Sequence, residues 1–203
     1  VAIEQREGLC LHLRDYAAMA NAFTFFDGNS AFRTTVMAGL GPDAAARGWG
    51  DASGGEDGFV RDGSDRGVFM IAADYARNLS TLSSVQTAAP RQRTRFTPLT
   101  ETNVHSVAFL VTDGDNIQWD LGGFRDYYNS PARGRFDMGW ALSPSLGDLA
   151  PSVVHWYYDA ASNGLGRDFF VSGPSGMGYM YPSRYPAAEQ AASEFSARFR
   201  DGA

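Results

Sequence analysis

Four short apolar runs, each ended by polar residues and separated by helical stretches, constrain the fold of this chain more than any other feature. The runs are GVFMIAAD at 67–74, VHSVAFLVTDGDN at 104–116, RFDMGWALSP at 135–144 and DFFVSGPSG at 168–176. They are continuous rather than alternating, which is typical of strands covered on both faces. Strands that alternate with helices favour βαβ units and a parallel sheet, so we predict an α/β fold.

The remaining segments predict the helices and loops that connect these strands. Residues 9–26 carry apolar side chains at helical spacing, namely Leu9, Leu13, Tyr16, Ala20 and Phe23. Residues 39–67 are rich in Gly, Asp and Ala and predict a long irregular connection. Residues 75–85 and 116–129 predict helices, the second weakened by Gly122 and Gly123, and 187–200 predicts a closing helix. Pro151 suits the first turn of a helix.

Polar residues follow the predicted strands at the points where those strands end. They are Asp74, Asp113, Asp115, Ser143 and the loop 172–176. In parallel α/β folds, ligands bind at the carboxyl ends of the strands. We therefore expect one rim to collect these residues.

The composition excludes several classes of function. The chain has 203 residues, 44% of them hydrophobic, which is enough for one domain with a sizeable core. It contains no lysine, which excludes a Schiff-base lysine and the lysine-bearing phosphate loop. A net charge of -6 without a basic tract argues against nucleic acid as a partner. The single cysteine, Cys10, excludes an intrachain disulfide, and no apolar run approaches the ~20 residues of a membrane span.

Asp113 and Asp115 are candidates for a catalytic pair of carboxyl groups. In an extended backbone, residues two apart share a face and lie roughly 6.6 Å apart along the strand. Glycoside hydrolysis uses two carboxyl groups at ~5–9.5 Å as acid and base or nucleophile. Gly114 permits a turn, which leaves the separation open, and a helix-capping role for Asp115 or Asn116 is the alternative.

A divalent metal is a second interpretation of the same acids. The DGDN segment offers three oxygen donors, but the calcium-loop pattern fails because Ile117 stands at its fifth position. The three histidines, His12, His105 and His155, lie apart on predicted elements, where a structural role is the simpler interpretation. We therefore predict neither a metal site nor a cofactor.

The segment FVSGPSGMGYMYPS, 170–183, predicts an ordered aromatic loop. The nucleophile pattern Gly-x-Ser-x-Gly fails because Met177 replaces its second glycine. Tyr179 and Tyr181 are candidates to stack on a sugar face, and packing on the core is the alternative for either of them. The same two interpretations apply to Trp119 and Trp49.

Several separated motifs resemble the GxGYxYP family of putative glycoside hydrolases, in particular their C-terminal domain. These motifs are VTDGDNIQW, MGWALSP and GPSGMGYMYPS, and the naming pattern is matched by Gly176, Gly178, Tyr179, Tyr181 and Pro182. ADYARNLSTLS at 73–83 and the Gly-Glu at 55–56 also look like family features, so the resemblance spans about 49–186. It implies a TIM-barrel-like fold, a secreted or cell-envelope location and, in many members, an additional N-terminal domain. Fewer than eight βα units can be counted here, so such a barrel would be incomplete.

We therefore expect residues 1–203 to form a single α/β domain, complete or part of a larger protein, that hydrolyses a poly- or oligosaccharide. The predicted catalytic residues are Asp113, Asp115 and Glu56, the last supplied by the glycine-rich connection. The predicted carbohydrate contacts are Asp74, Asn78, Asn116, Trp119, Ser175, Tyr179 and Tyr181. A metal-dependent carbohydrate deacetylase or hydrolase and a non-catalytic glycan-binding module are the alternatives.

Overall fold

A computed structural model of the chain shows two parallel β-sheets with helices packed against them. It describes residues 2–5, 12–26, 29–41, 44–49, 54–73, 75–92, 102–173, 175–186 and 193. No helix within these ranges is long and apolar enough to cross a membrane.

The first sheet has four parallel strands in the order β2-β1-β3-β4. They are β1 (Ala2–Gln5), β2 (Phe23–Phe26), β3 (Ala44–Gly48) and β4 (Val68–Ala72). The helices that accompany them are α1 (Arg14–Met19), α2 (Ser30–Ala38), α3 (Gly55–Ser64) and α4 (Leu79–Leu82). All five residues of β4 are buried, as its continuous apolar sequence predicts.

The second sheet has three parallel strands in the order β5-β6-β7. They are β5 (Leu110–Val111), β6 (Met138–Leu142) and β7 (Asp168–Ser172). The helices are α5 (Ile117–Leu121), α6 (Gly123–Tyr128), α7 (Leu146–Leu149) and α8 (Pro151–Ser162), followed by a 3-10 turn at Pro182–Arg184. A single parallel bridge between Ala72 and Asn116 joins the end of β4 to the turn after β5.

The α/β class and the parallel βα units are confirmed, whereas a TIM barrel is not shown. The described strands form two open sheets of four and three strands. In the first sheet β1 lies between β2 and β3, so the direction in which strands are added reverses there. Such a reversal is the mark of an open, doubly wound sheet.

Two predictions in the first third of the chain are wrong. The helix predicted over 9–26 is shorter, because α1 ends at Met19 and Phe23–Phe26 pairs with β1 as a strand. The irregular connection predicted over 39–67 contains β3 and α3. The alanines of β3 have low strand propensity, but the strand forms because it completes the sheet between β1 and β4.

Several local predictions in the rest of the chain are confirmed. The helical stretch at 116–129 divides into α5 and α6 at Gly122, and α8 begins at Pro151. The apolar runs at 67–74, 135–144 and 168–176 contain β4, β6 and β7.

Two predicted elements are shorter than the sequence indicates. The run at 104–116 provides only the two-residue strand β5, and the helical stretch at 75–85 provides only α4. The predicted closing helix at 187–200 lies outside the described residues except for Ser193.

Candidate functional site

The two predicted catalytic acids lie in a tight turn directly after β5. Asp113 has a positive φ of 73°, a conformation that Asp tolerates better than most residues, and the Asn116 N–H donates to its carbonyl oxygen at 3.1 Å. A Cβ added at Gly114 would lie 2.4 Å from the Ala141 carbonyl carbon, so only glycine fits this turn against β6. The extended backbone assumed for the spacing of these two acids is therefore not present.

The turn gives the two carboxyl groups different environments. Asp113 is exposed, whereas Asp115 is only 7% exposed. Burial raises the pKa of the Asp115 carboxyl, and the charges of Asp113 and Glu56 raise it further. Three acids from two separate elements thus interact here, since Glu56 lies in the first turn of α3. The raised pKa favours the protonated form of Asp115, and the exposed carboxyl group of Asp113 lies on the same turn.

Asp120 is a fourth acid of this cluster, and sequence reasoning missed it. It lies on α5 and is fully buried. Its Oδ2 accepts the Ser143 backbone N–H at 3.2 Å, whereas its Oδ1 and the Ser143 Oγ are buried without a hydrogen-bond partner. Burial, and then the charges of Asp113 and Asp115, hold its pKa well above the usual range. A sequence signal existed, because Asp120 follows the apolar Ile117 by three residues and therefore lies on the same face of α5.

The amide of Asn116 caps α5. Its Oδ1 accepts the backbone N–H of Trp119 at 3.1 Å, and its backbone is extended, as is usual at an N-cap. The sequence predicts a helix cap at either Asp115 or Asn116, and the structure shows it at Asn116. The Asn116 side-chain amide nitrogen has no part in that bond.

The segment that carries Tyr179 and Tyr181 pairs with β4. The N–H of Met70 donates to the Tyr179 carbonyl at 2.9 Å, and the Tyr179 N–H donates back at 2.6 Å. A Cβ added at Gly178 would lie 2.6 Å from the Met70 carbonyl oxygen, so this close pairing requires glycine. The motif thus fixes the position of the two tyrosines relative to β4.

The two tyrosines connect this segment to the acids of α3. The Tyr181 hydroxyl donates to Asp57 at 3.0 Å, and its backbone N–H donates to the Ser64 Oγ at 2.9 Å. Burial and the neighbouring Tyr181 and Glu56 raise the pKa of the Tyr179 hydroxyl. Both rings are partly buried, at 6.0 Å from each other and an interplanar angle of 83°. Since Glu56 also acts on Asp115, the tyrosines lie at one side of the acid cluster.

The other predicted carbohydrate contacts that the structure describes lie on α5, at the start of α4 and in the turn before Gly176. Trp119 packs against the rings of Phe124 and Tyr127. Asn78 is exposed at the start of α4, and Ser175 lies in the turn before Gly176. Asp74 lies outside the described residues.

The described residues of the acid cluster do not show metal-binding geometry. Within the described ranges, no group of three His, Cys, Asp or Glu residues is arranged to hold a metal ion. A cavity of about 200 Å³ lies beside β7, lined in part by Gln92, Tyr158 and Asp168. Gln92 hydrogen-bonds the backbone of Phe170 there, and Asp168 binds Arg133 and the Trp140 indole, so this wall is held by structural contacts.

Comparison with known proteins gives family matches over most of the chain. Residues 103–201 match the family model described as the GxGYxYP putative glycoside hydrolase C-terminal domain, and residues 3–84 match the GxGYxYP third domain. A crystal structure of a putative hydrolase from Bacteroides thetaiotaomicron is similar at 37% identity, with a TM-score of 0.87 over 99% of this chain. The chain spans 40% of the length of that protein. No curated protein sequence matches significantly.

Proposed function

Because this chain belongs to the GxGYxYP putative glycoside hydrolase family, we propose that it hydrolyses glycosidic bonds of a poly- or oligosaccharide with the acid cluster after β5. Asp115 is the general acid, and Asp113 is the base or nucleophile. Glu56 supports the protonated state of Asp115 and is a third candidate for direct catalysis. The secreted or cell-envelope location that the family resemblance implies is part of the same proposal.

The observation that carries the proposal is the difference in environment between Asp113 and Asp115. A two-carboxyl mechanism needs one group that holds its proton and another that is ionised. Burial of Asp115 next to two other acids raises its pKa, whereas Asp113 is exposed on the same turn. This is the division of roles that glycoside hydrolysis requires.

The sugar-binding surface that we propose lies beside the acids. Tyr179 and Tyr181 are partly exposed and in contact with the acids of α3, which places an aromatic face next to the cluster. The side-chain amide nitrogen of Asn116 can donate to a sugar hydroxyl while its oxygen caps α5. Trp119, Asn78, Ser175 and Asp74 are proposed as further carbohydrate contacts.

Activity measurements on Asp113→Asn and Asp115→Asn test the proposed mechanism. With a panel of glycans and release of reducing ends as the readout, we expect each change to lower kcat by about 10²–10⁴-fold. Asp126→Asn, at an exposed position on α6, is the matched control and is expected to retain activity.

Two results would contradict the mechanism. Turnover by either variant at the parental rate would remove that carboxyl group from the chemistry. Sugar binding without any turnover by the parent chain would instead favour a glycan-binding module.

A further inference from the structure

Arg47 on β3 carries a guanidinium group whose hydrogen bonds are largely unmade. Its Nε and Nη1 are buried and have no hydrogen-bond partner in the part of the chain that the structure describes. In the register of the sheet it lies between Ile3 of β1 and Ile71 of β4, both fully buried or nearly so. Among the described residues, no carboxylate forms an ion pair with it.

This arrangement is energetically unfavourable for the protein by itself. A desolvated cation without a hydrogen-bonded counter-charge is energetically unfavourable. The burial lowers the pKa of Arg47, and only the more distant Tyr16 and Asp148 act in the opposite direction. The guanidinium carbon lies 5.4 Å from the centroid of the Tyr16 ring, a contact that satisfies none of the N–H groups. An anion that pairs with Arg47 would remove most of this cost.

The position of Arg47 in the sheet is one where α/β proteins bind ligands. β1 pairs with β2 on one side and with β3 on the other, so the strand order reverses between β1 and β3. Ligands of open α/β sheets bind outside the carboxyl ends of the strands at such a point. Arg47 is the penultimate residue of β3, at that carboxyl end.

We propose that Arg47 binds an oxyanion group of a ligand at the carboxyl edge between β1 and β3. The planar guanidinium group pairs with carboxylate, sulfate or phosphate through two parallel N–H···O bonds. The Tyr16 ring lies on one side of the group. Arg47 is only partly buried as a residue, so the site is not sealed from solvent. This proposal does not depend on the proposed hydrolase activity.

Thermal unfolding of the 203-residue chain in the presence of sulfate tests the site. We expect a saturable rise of the unfolding midpoint, by about 3–6 °C at tenfold excess over the dissociation constant, beyond that in sodium chloride of equal ionic strength. Arg47→Met is expected to abolish the saturable rise and to unfold at the same or a higher temperature without anion, because it removes the uncompensated charge. Arg167→Met, at an exposed ion pair with Asp137, is the matched control and is expected to keep the response.

The source of the anion is distinguished by comparing glucuronate, glucose and acetate in the same assay. A response to glucuronate at lower concentration than to acetate, with none to glucose, assigns the site to an acidic sugar. Equal responses to glucuronate and acetate assign it to a free oxyanion.

Two results would overturn the proposal. One is a parent chain without any saturable response to sulfate, acetate or glucuronate. The other is an Arg47→Met chain that keeps the parental response. Arg47→Gln provides the same comparison with a polar side chain if Arg47→Met does not fold.

Discussion

At the scale of single residues, the buried carboxyl of Asp120 has the most distinctive chemistry. It holds the Ser143 N–H at the end of β6, and its second oxygen has no partner. Its raised pKa means that the folded state binds the proton more tightly than the unfolded state. Stability contributed by this proton is therefore present at low pH and is lost as the pH rises above the pKa of the unfolded chain.

We expect Asp120→Asn to fold and to gain stability relative to the parent as the pH rises from 5 to 8. The amide oxygen still accepts the Ser143 N–H, and the variant has no carboxyl group to ionise. Asp120→Ala is expected to lose about 1–3 kcal/mol, because that N–H is left buried without a partner. Urea unfolding at both pH values measures these differences. If the free energies of unfolding of Asp120→Asn and the parent differ by the same amount at both pH values, the fold does not hold Asp120 in its protonated form.

Glu56→Gln tests the electrostatic connection between α3 and Asp115. The charge of Glu56 raises the pKa of Asp115, so its removal lowers that pKa. If Asp115 is the general acid, the alkaline limb of the kcat/KM profile is expected to move to lower pH. Asp57→Asn, on the same helical turn, is expected to leave the limb in place. A limb that moves in neither variant, or equally in both, would contradict a specific electrostatic effect of Glu56 on Asp115.

At the scale of secondary-structure elements, the glycine-rich motif is explained by backbone pairing. Gly176 has a positive φ of 88°, and Gly178 allows the chain to approach the Met70 carbonyl. Two backbone hydrogen bonds between Met70 and Tyr179 follow from this approach. The tyrosines of the motif are thereby held next to α3.

Gly178→Ala tests the importance of this close approach. Its Cβ would lie 2.6 Å from a backbone oxygen, which cannot move as a side chain can, so we expect a loss of about 1–3 kcal/mol in the free energy of unfolding. Gly147→Ala on α7 is the control, because its Cβ meets nothing within 4 Å. Chemical denaturation of both variants gives the comparison. Equal stabilities would mean that the segment does not need to pair closely with β4.

At the scale of the whole molecule, a buried ion pair connects separate elements of the first sheet. The Arg33 Nε on α2 donates to both carboxylate oxygens of Glu4 on β1, at 3.0 and 2.8 Å, and both residues are buried. Arg33 also pairs with Asp62 of α3 at 3.4 Å and lies over the Phe59 ring. The contact therefore joins one strand to the two helices that pack nearby.

Breaking this pair is expected to destabilise the molecule strongly. Arg33→Met leaves the Glu4 charge buried without its main partner, which should cost about 3–5 kcal/mol. The double variant Arg33→Met with Glu4→Gln is expected to recover part of that loss, because the buried charge is gone. Unfolding by denaturant in a double-mutant cycle measures the coupling. Additive losses would indicate that the two charges do not depend on each other.

The sequence by itself determined the features whose signals are local. The apolar runs predict β4, β6 and β7, and Pro151 predicts the start of α8. Gly122 and Gly123 predict a weakened helix over 116–129, which the structure divides into α5 and α6. These follow from side-chain patterns and backbone restrictions within a few residues, so no other part of the chain is needed to predict them.

Only the tertiary structure decided the strand order and the membership of the acid cluster. β3 forms because β1 and β4 lie beside it, although its alanines have little tendency to form a strand. Glu56 acts on Asp115 because the fold brings α3 near the turn after β5, although 59 residues separate the two acids along the chain. Such contacts depend on pairing and burial between distant segments, which local propensity does not encode.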